Sequence, residues 1–442
     1  MAIQPDLRTQ EETLTGLLDD LSRPEEAADR VADLGERAVP ILRTYLRRPA
    51  QSVPQARQRA VRLLGMVGSP GAHEALRGVL MGHDLAGLDP VLALSESVVK
   101  NEAAEQLVRA GRCDLAGDLL AAFRRDRLPA AAAALGLWHV LEGLPDLVTA
   151  LESDLVGEVA AEALIRFGTA AGPELTKALE ERHGAASGTE SRISRLRRIR
   201  AALLLAEMGG AAGLETLRGV LQDENPSVRA AAALGLWRLD PGGTTPGRCQ
   251  ALLRGALSPE RRVRERCRDA VQALGEACVP AALDSLAIRT VPDLYGVPVT
   301  VTRSDQSWVV RFLMSNPFRD PTLVHRGLLA CDQGLLADGL ARTREVRAAG
   351  NVAGLRDHPN LGIRILVARV LGRIGSPAAV AGLVEQLKDP SRKVRRAAAR
   401  SLGALAAEDP GLVRAGLSGQ AKARSWLVRW RIWRAVHRHL SG

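Results

Sequence analysis

The chain has 442 residues, 46% of them hydrophobic and only 3% aromatic, with a formal net charge of +10 at pH 7. Scarce aromatics are poor material for a β-sandwich, whereas abundant Ala and Leu favour closely packed helices. No apolar run of roughly 18 residues exists to span a membrane as a helix, and the cysteines (Cys113, Cys249, Cys267, Cys278, Cys331) are scattered without a CxxC, as expected of free thiols in a reducing compartment.

Taken in chain order, the N-terminal MAIQPDLRTQEE has no basic segment followed by an apolar run, so no signal peptide is predicted and a cytoplasmic location is expected. A short text then recurs. It begins as Ala56-Arg57 through Leu64-Gly65, followed by the turn Gly68-Ser69-Pro70. Weaker copies run from Val99 to Leu107, at Leu135-Gly136-Leu137-Trp138 and from Val156 to Leu164. Glu180 to Arg192 is polar and reads as a protease-accessible loop. The text returns at Leu221-Gln222-Asp223 with Val228-Arg229, at Leu234-Gly235-Leu236-Trp237 and near Val263 to Gly275. Past 321 it is clearest: Ile363-Arg364 through Gly375, Ser376-Pro377, then Asp389-Pro390 and Lys393 through Gly403. Val394, Ala398 and Leu402 recur every fourth residue, which predicts one apolar helix face. Gly68, Gly375 and Gly403 are expected where helices end, and Pro70, Pro226, Pro377 and Pro390 at turns or first helical positions. One such unit cannot bury its own faces, so the units must fold as an array.

The in-phase Asp, turn and V-R-x-x-A-A-x-A-L-G text resembles the HEAT repeat, in its short variant named after phycobilisome lyases. The resemblance covers most of the chain in about ten or eleven units. It implies an all-α fold, a right-handed α-solenoid of helical hairpins. It also implies that Asp223 and Asp389 cap helices and pair with a neighbour's Arg, making Arg57, Arg229, Arg364 and Arg395 structural. The V-R-x-x helix of such repeats lines the concave surface. That would place Arg392, Lys393, Arg396 and Arg400 on a groove, with Arg369 one repeat earlier, and Asn101, Glu102, Glu105, Glu158 and Glu162 at its other end.

The period breaks at 289–320. Val297, Val299 and Val301 alternate, Arg303-Ser304-Asp305-Gln306 is polar, and Trp308, Val310 and Phe312 alternate again. Period two around a polar turn predicts a β-hairpin inserted in the solenoid, with Trp308 a candidate binding residue. The expected divisions are therefore 1–190, 191–288, 289–320 and 321–442.

Charge is uneven. Residues 1–190 hold 20 Lys and Arg against 29 Asp and Glu; residues 191–442 hold 40 against 21. The basic clusters are Arg192, Arg195, Arg197 and Arg198 at a helix start, where cations oppose the helix dipole and invite an anion or acidic neighbour, the alternating Arg261 to Asp269, which reads as surface ion pairing, and Arg392 to Arg400. Trp426, Trp430 and Trp433 make a stripe on a basic terminal helix, expected to cap the array or meet a partner. The eight histidines do not cluster, and HExxH, G-x-S-x-G and P-loop motifs are absent. No cofactor or metal is expected. The reading is a non-catalytic scaffold or adaptor for a protein partner with an acidic or mixed-charge surface, self-association included. The alternative is binding of a DNA or RNA backbone by residues 191–442; the HEAT resemblance extends to DNA glycosylases, but no catalytic Asp is assignable.

Overall fold

A computed structural model describes residues 7–47, 53–82, 85–183, 190–293, 297–316 and 321–418. Among these the chain is helical apart from one small hairpin, and it divides into two compact units, residues 1–216 and 217–442. In the first unit, Pro54–Val67, Pro90–Arg109, Pro129–Leu137, Gly157–Phe167 and Arg192–Met208 each contact the next, forming one layer. Intervening helices such as Ala38–Leu46, Pro70–Leu80 and Ala116–Asp126 form the other. The second unit repeats the scheme. Arg303–Ser315, Gln333–Arg342, Leu361–Ile374 and Arg392–Glu408 stack in one layer, and Val279–Ser285, Pro321–Ala330, Ala349–Gly354, Pro377–Gln386 and Pro410–Ser418 in the other. The core lies between layers and is largely Ala and Leu, with Val394, Ala398 and Leu402 fully enclosed.

Local chemistry explains these elements. Pro70, Pro226 and Pro377 open helices, where the missing N–H costs nothing. Gly68 and Gly375 close helices at φ of 63° and 57°, which only glycine adopts cheaply. Gly403, expected at a helix end, instead lies inside Arg392–Glu408 and is buried. The register-equivalent Gly372 shows why a mid-helix glycine suits: a Cβ there would stand 2.6 Å from the Ser401 side chain of the next helix. Small residues thus set how near successive helices come.

The repeat aspartates work one step away from their expected role. Ser391 and Asn225 are the helix caps, accepting from Lys393 N and from Ser227 and Val228 N. Asp389 and Asp223 sit two residues earlier and accept the backbone N–H of those caps at 2.7 and 2.8 Å. Asp389 also accepts from Arg364 of the preceding repeat at 2.8 Å, as the resemblance implied.

The hairpin is real but smaller and earlier than its alternation suggested. Its strands are Thr290–Pro292 and Pro298–Thr300, antiparallel. The second alternating stretch is helical: Thr302 caps Arg303–Ser315 by accepting from Asp305 N at 3.1 Å. Trp308 is therefore a helix residue, 8% exposed, stacked on Phe312 with ring centroids 5.9 Å apart.

Candidate cationic binding face

Many of the described arginines donate to backbone carbonyls. In four units the Arg of the V-R position, or its equivalent, donates to the two carbonyls five and six residues before it: Arg229 to Glu224 and Asp223, Arg264 to Pro259 and Ser258, Arg364 to Pro359 and His358, Arg395 to Pro390 and Asp389. Others reach the orphan carbonyls at the ends of neighbouring helices. Arg200 takes Leu151 and Ser153 oxygens at 2.7 Å each, Arg125 takes Leu80 at 3.1 Å, and Arg268 takes Ala256 at 3.1 Å. A helix leaves its last four carbonyls without intrahelical partners, and Arg is long and multidentate enough to satisfy them across a turn. Net charge therefore overstates the positive charge open to a partner.

The cluster at the start of Arg192–Met208 is used in this way. Arg198 is 2% exposed, donating to Leu179 O at 2.7 Å and pairing with Glu190 at 3.1 Å. Arg197 is 5% exposed and pairs with Glu152 at 3.0 Å. Arg195 is buried and donates to Glu190 O, while Arg192 pairs with Asp154 at 2.7 Å. Of the anion and the acidic neighbour anticipated there, the structure supplies the neighbour. Trp308 is likewise enclosed, with the Arg268 guanidinium 4.9 Å from its ring centroid and paired to Asp305. The early acidic series is partly internal: Glu102 is 4% exposed and held by Arg62 at 2.9 Å and Gln106 at 2.8 Å, whereas Glu162 is exposed. Trp430 and the terminal helix expected around it lie outside the described residues.

Five predicted cations behave differently. Arg369, Arg392, Lys393, Arg396 and Arg400 are exposed, and among the described residues none makes an ion pair or side-chain hydrogen bond. They stand on two helices in contact, Leu361–Ile374 and Arg392–Glu408. Arg392, Arg396 and Arg400 are four apart, so they share one face. Arg369 precedes Gly372 by the same interval as Arg400 precedes Gly403, which puts the two at matching heights on neighbouring helices. Arg395, between them in sequence, faces away and is tied to Asp389 and Pro390 oxygens. The layout is a patch of unneutralised charge on a rigid two-helix base.

A family model described as HEAT repeats matches residues 194–275 and 348–437. This chain carries HEAT repeats. The second matched stretch includes the whole cationic face. Among solved structures, these HEAT repeats are similar to Kap121p, at 13% identity and a TM-score of 0.41, over 99% of this chain and 50% of that one. They are also similar to the karyopherin Kap121p bound to the extreme C-terminus of the protein phosphatase Cdc14p, at 11% identity and a TM-score of 0.38, over 99% and 53%. The chain spans about half the length of those proteins. A comparison with curated proteins finds no match.

Two features of the HEAT array escape the sequence reading. In the first unit, Lys100 and Asp126 form an enclosed ion pair at 2.8 Å, their side chains 2% and 0% exposed. Lysine is otherwise rare here, and Lys100 stands in Pro90–Arg109, a helix that also buries Glu96, Glu102 and Gln106. In the second unit, a pocket of about 270 Å³ forms beside the hairpin, with Arg254 and Arg289 in its wall. Among the described residues, no three His, Cys, Asp or Glu gather as a metal site, and no helix is long and apolar enough to cross a membrane.

Proposed function

We propose that this HEAT-repeat chain is a non-catalytic scaffold that binds an acidic surface of a partner protein through Arg369, Arg392, Lys393, Arg396 and Arg400. One observation carries the reading. In a protein that commits arginine after arginine to its own carbonyls and carboxylates, these five on adjoining helices are left exposed and unpaired. Paired cations add little at a surface, whereas a desolvated, complementary patch steers association and fixes register. A helical face with fixed spacing suits a folded, acidic protein surface, because each guanidinium can engage a carboxylate in bidentate fashion.

Binding of a nucleic-acid backbone by the same cations is the second reading, and the test separates the two. The full chain and a R369E/R396E/R400E variant are immobilised and challenged with nuclease-treated native lysate at about 150 mM salt, where exposed charges are already screened beyond roughly 8 Å. The expected result is a discrete protein retained by the wild type and lost with the variant. A mobility shift on duplex DNA or single-stranded RNA that weakens steeply with salt, with no nuclease-resistant protein retained, overturns the scaffold reading in favour of nucleic acid.

A further inference from the structure

The hairpin leaves one strand edge open. Thr290–Pro292 pairs with Pro298–Thr300 in the register Thr290 to Thr300, Val291 to Val299 and Pro292 to Pro298. Val301 N–H donates to Arg289 C=O at 2.9 Å, and Asp293 N–H to Val297 C=O at 3.0 Å. Hydrogen-bonded and non-bonded pairs alternate along an antiparallel ladder. Arg289, Val291 and Asp293 therefore point their backbone groups at the partner strand, and Thr290 and Pro292 point theirs outward. Thr290 presents both an N–H and a C=O, Pro292 a C=O alone, and no described residue bonds to them. Unpaired strand edges are normally paired, covered or blunted by charge.

The pocket of about 270 Å³ lies along this edge. Residues 288–292 form one wall, no residue of the second strand lines it, and three helices close the remainder through residues that include Ala230, Arg254 and Val263. Its floor is small and apolar. Arg254 is half-buried, Arg289 is exposed, and neither side chain has a partner among the described residues. An outward backbone donor and acceptor, an apolar trough and two unneutralised guanidinium groups thus converge on one cavity.

We propose that this site takes an extended acidic peptide segment of a partner protein, added as a third strand beside Thr290–Pro292. One carboxylate side chain of the segment sits between Arg254 and Arg289. Main-chain bonds to an open edge supply affinity, and alternate side chains entering a pocket supply specificity. At about 3.3 Å per residue the open edge spans about 10 Å, enough for a three-residue core contact. The site is distinct in its residues from the five cations of the Leu361–Ile374 and Arg392–Glu408 helices, and it stands if that face binds nothing.

The test is a display library of random nonapeptides panned on the full chain. Enriched peptides are then measured by fluorescence anisotropy against the wild type and three variants. R254E/R289E reverses the charge. Thr290→Pro removes the outward N–H, and Thr290→Val keeps it. The expected result is a family of sequences with Asp or Glu at one fixed position. They should bind roughly ten-fold or more weakly to R254E/R289E and to Thr290→Pro, and normally to Thr290→Val. Failure to enrich any family, or enriched peptides that bind R254E/R289E as tightly as the wild type, overturns the proposal. Equal losses in Thr290→Pro and Thr290→Val overturn the strand-addition geometry, because the backbone donor survives in the second. Circular dichroism confirms that each variant keeps the helical array, and R254E/R289E alone remains decisive if Thr290→Pro alters the hairpin.

Discussion

Lys100→Met should open the first unit locally, by an amount set by what remains around Asp126. The Asp126 side chain is fully enclosed, and accepts from Lys100 Nζ and from Arg125 at 2.8 Å each. Removing one member of a buried pair costs about 3–5 kcal/mol, because the other charge stays buried. Arg125 remains, so the loss should lie at the lower end, about 3 kcal/mol. Amides in Pro90–Arg109 and Ala116–Asp126 should then exchange with deuterium roughly 150-fold faster when exchange follows local opening. The effect also carries a sign in pH. Burial pushes the Asp126 carboxyl up, but hydrogen bonds from Arg125 and Lys100 outweigh it and hold it below its usual value. Such a group stabilises the fold above its unfolded pKa, about 3.9, and that stabilisation is lost as pH falls through the lower folded value. Without Lys100, burial is opposed by Arg125 alone and the carboxyl rises. The mutational penalty should therefore shrink as pH falls from 7 toward about 4. Replacing both partners, as Lys100→Met with Asp126→Leu, should recover at least half the loss. A penalty under about 1 kcal/mol, or one independent of pH, refutes the assignment of an enclosed charge pair.

Three further outcomes follow from particular contacts. Arg395→Lys should lower stability by about 1 kcal/mol in thermal unfolding, because the lysine stem is one bond shorter and holds its ammonium back from the Asp389 and Pro390 oxygens that the guanidinium reaches at 2.7 and 2.8 Å; Arg396→Lys, next to it but unpaired, should change nothing measurable. Gly136→Ala should cost about 1–3 kcal/mol, since its Cβ would stand 2.5 Å from Ala163 Cα, whereas Gly78→Ala, with nothing within 4 Å, should stabilise by about 0.5–1 kcal/mol. Arg268→Ala should cost about 2 kcal/mol and shift near-ultraviolet dichroism, because it takes the 2.7 Å donor from Asp305, leaving Arg264 at 3.6 Å, and uncovers the Trp308 ring; an unchanged near-ultraviolet spectrum counts against that packing.

The repeat was legible because its parts agree. Apolar residues every fourth position, Pro at helix starts and Gly at left-handed caps all mark the same boundaries, and each has a local cause. The arginines were legible only by register. Arg395 and Arg396 are neighbours in sequence, yet one is bound to backbone and the other is free, and the repeat phase tells them apart. Arg195, Arg197 and Arg198 could not be read so well, because their partners Glu152, Glu181 and Glu190 come from a helix end and loop that no periodicity places beside them. The hairpin was found but misplaced, since alternation at Trp308, Val310 and Phe312 is shared by a strand and by a helix buried on most sides. Thr302 followed by Asp305 was the competing signal, a helix start that outweighs three residues of alternation. The enclosed Lys100–Asp126 pair and the pocket beside the hairpin depend on contacts distant in sequence, and one chain's text does not encode those directly.

The scaffold reading rests on five cations that the fold leaves free, so the most direct measurement compares their reversal with reversal of charges already paired. Arg261 and Glu265 pair with each other at 2.8 Å, and R261E/E265R swaps their charges as the control. The full chain, R369E/R396E/R400E and this control are each challenged with nuclease-treated native lysate at about 150 mM salt. The control and wild type should retain the same protein, and the three-residue reversal should lose it. Retention of that protein by R369E/R396E/R400E would contradict the account.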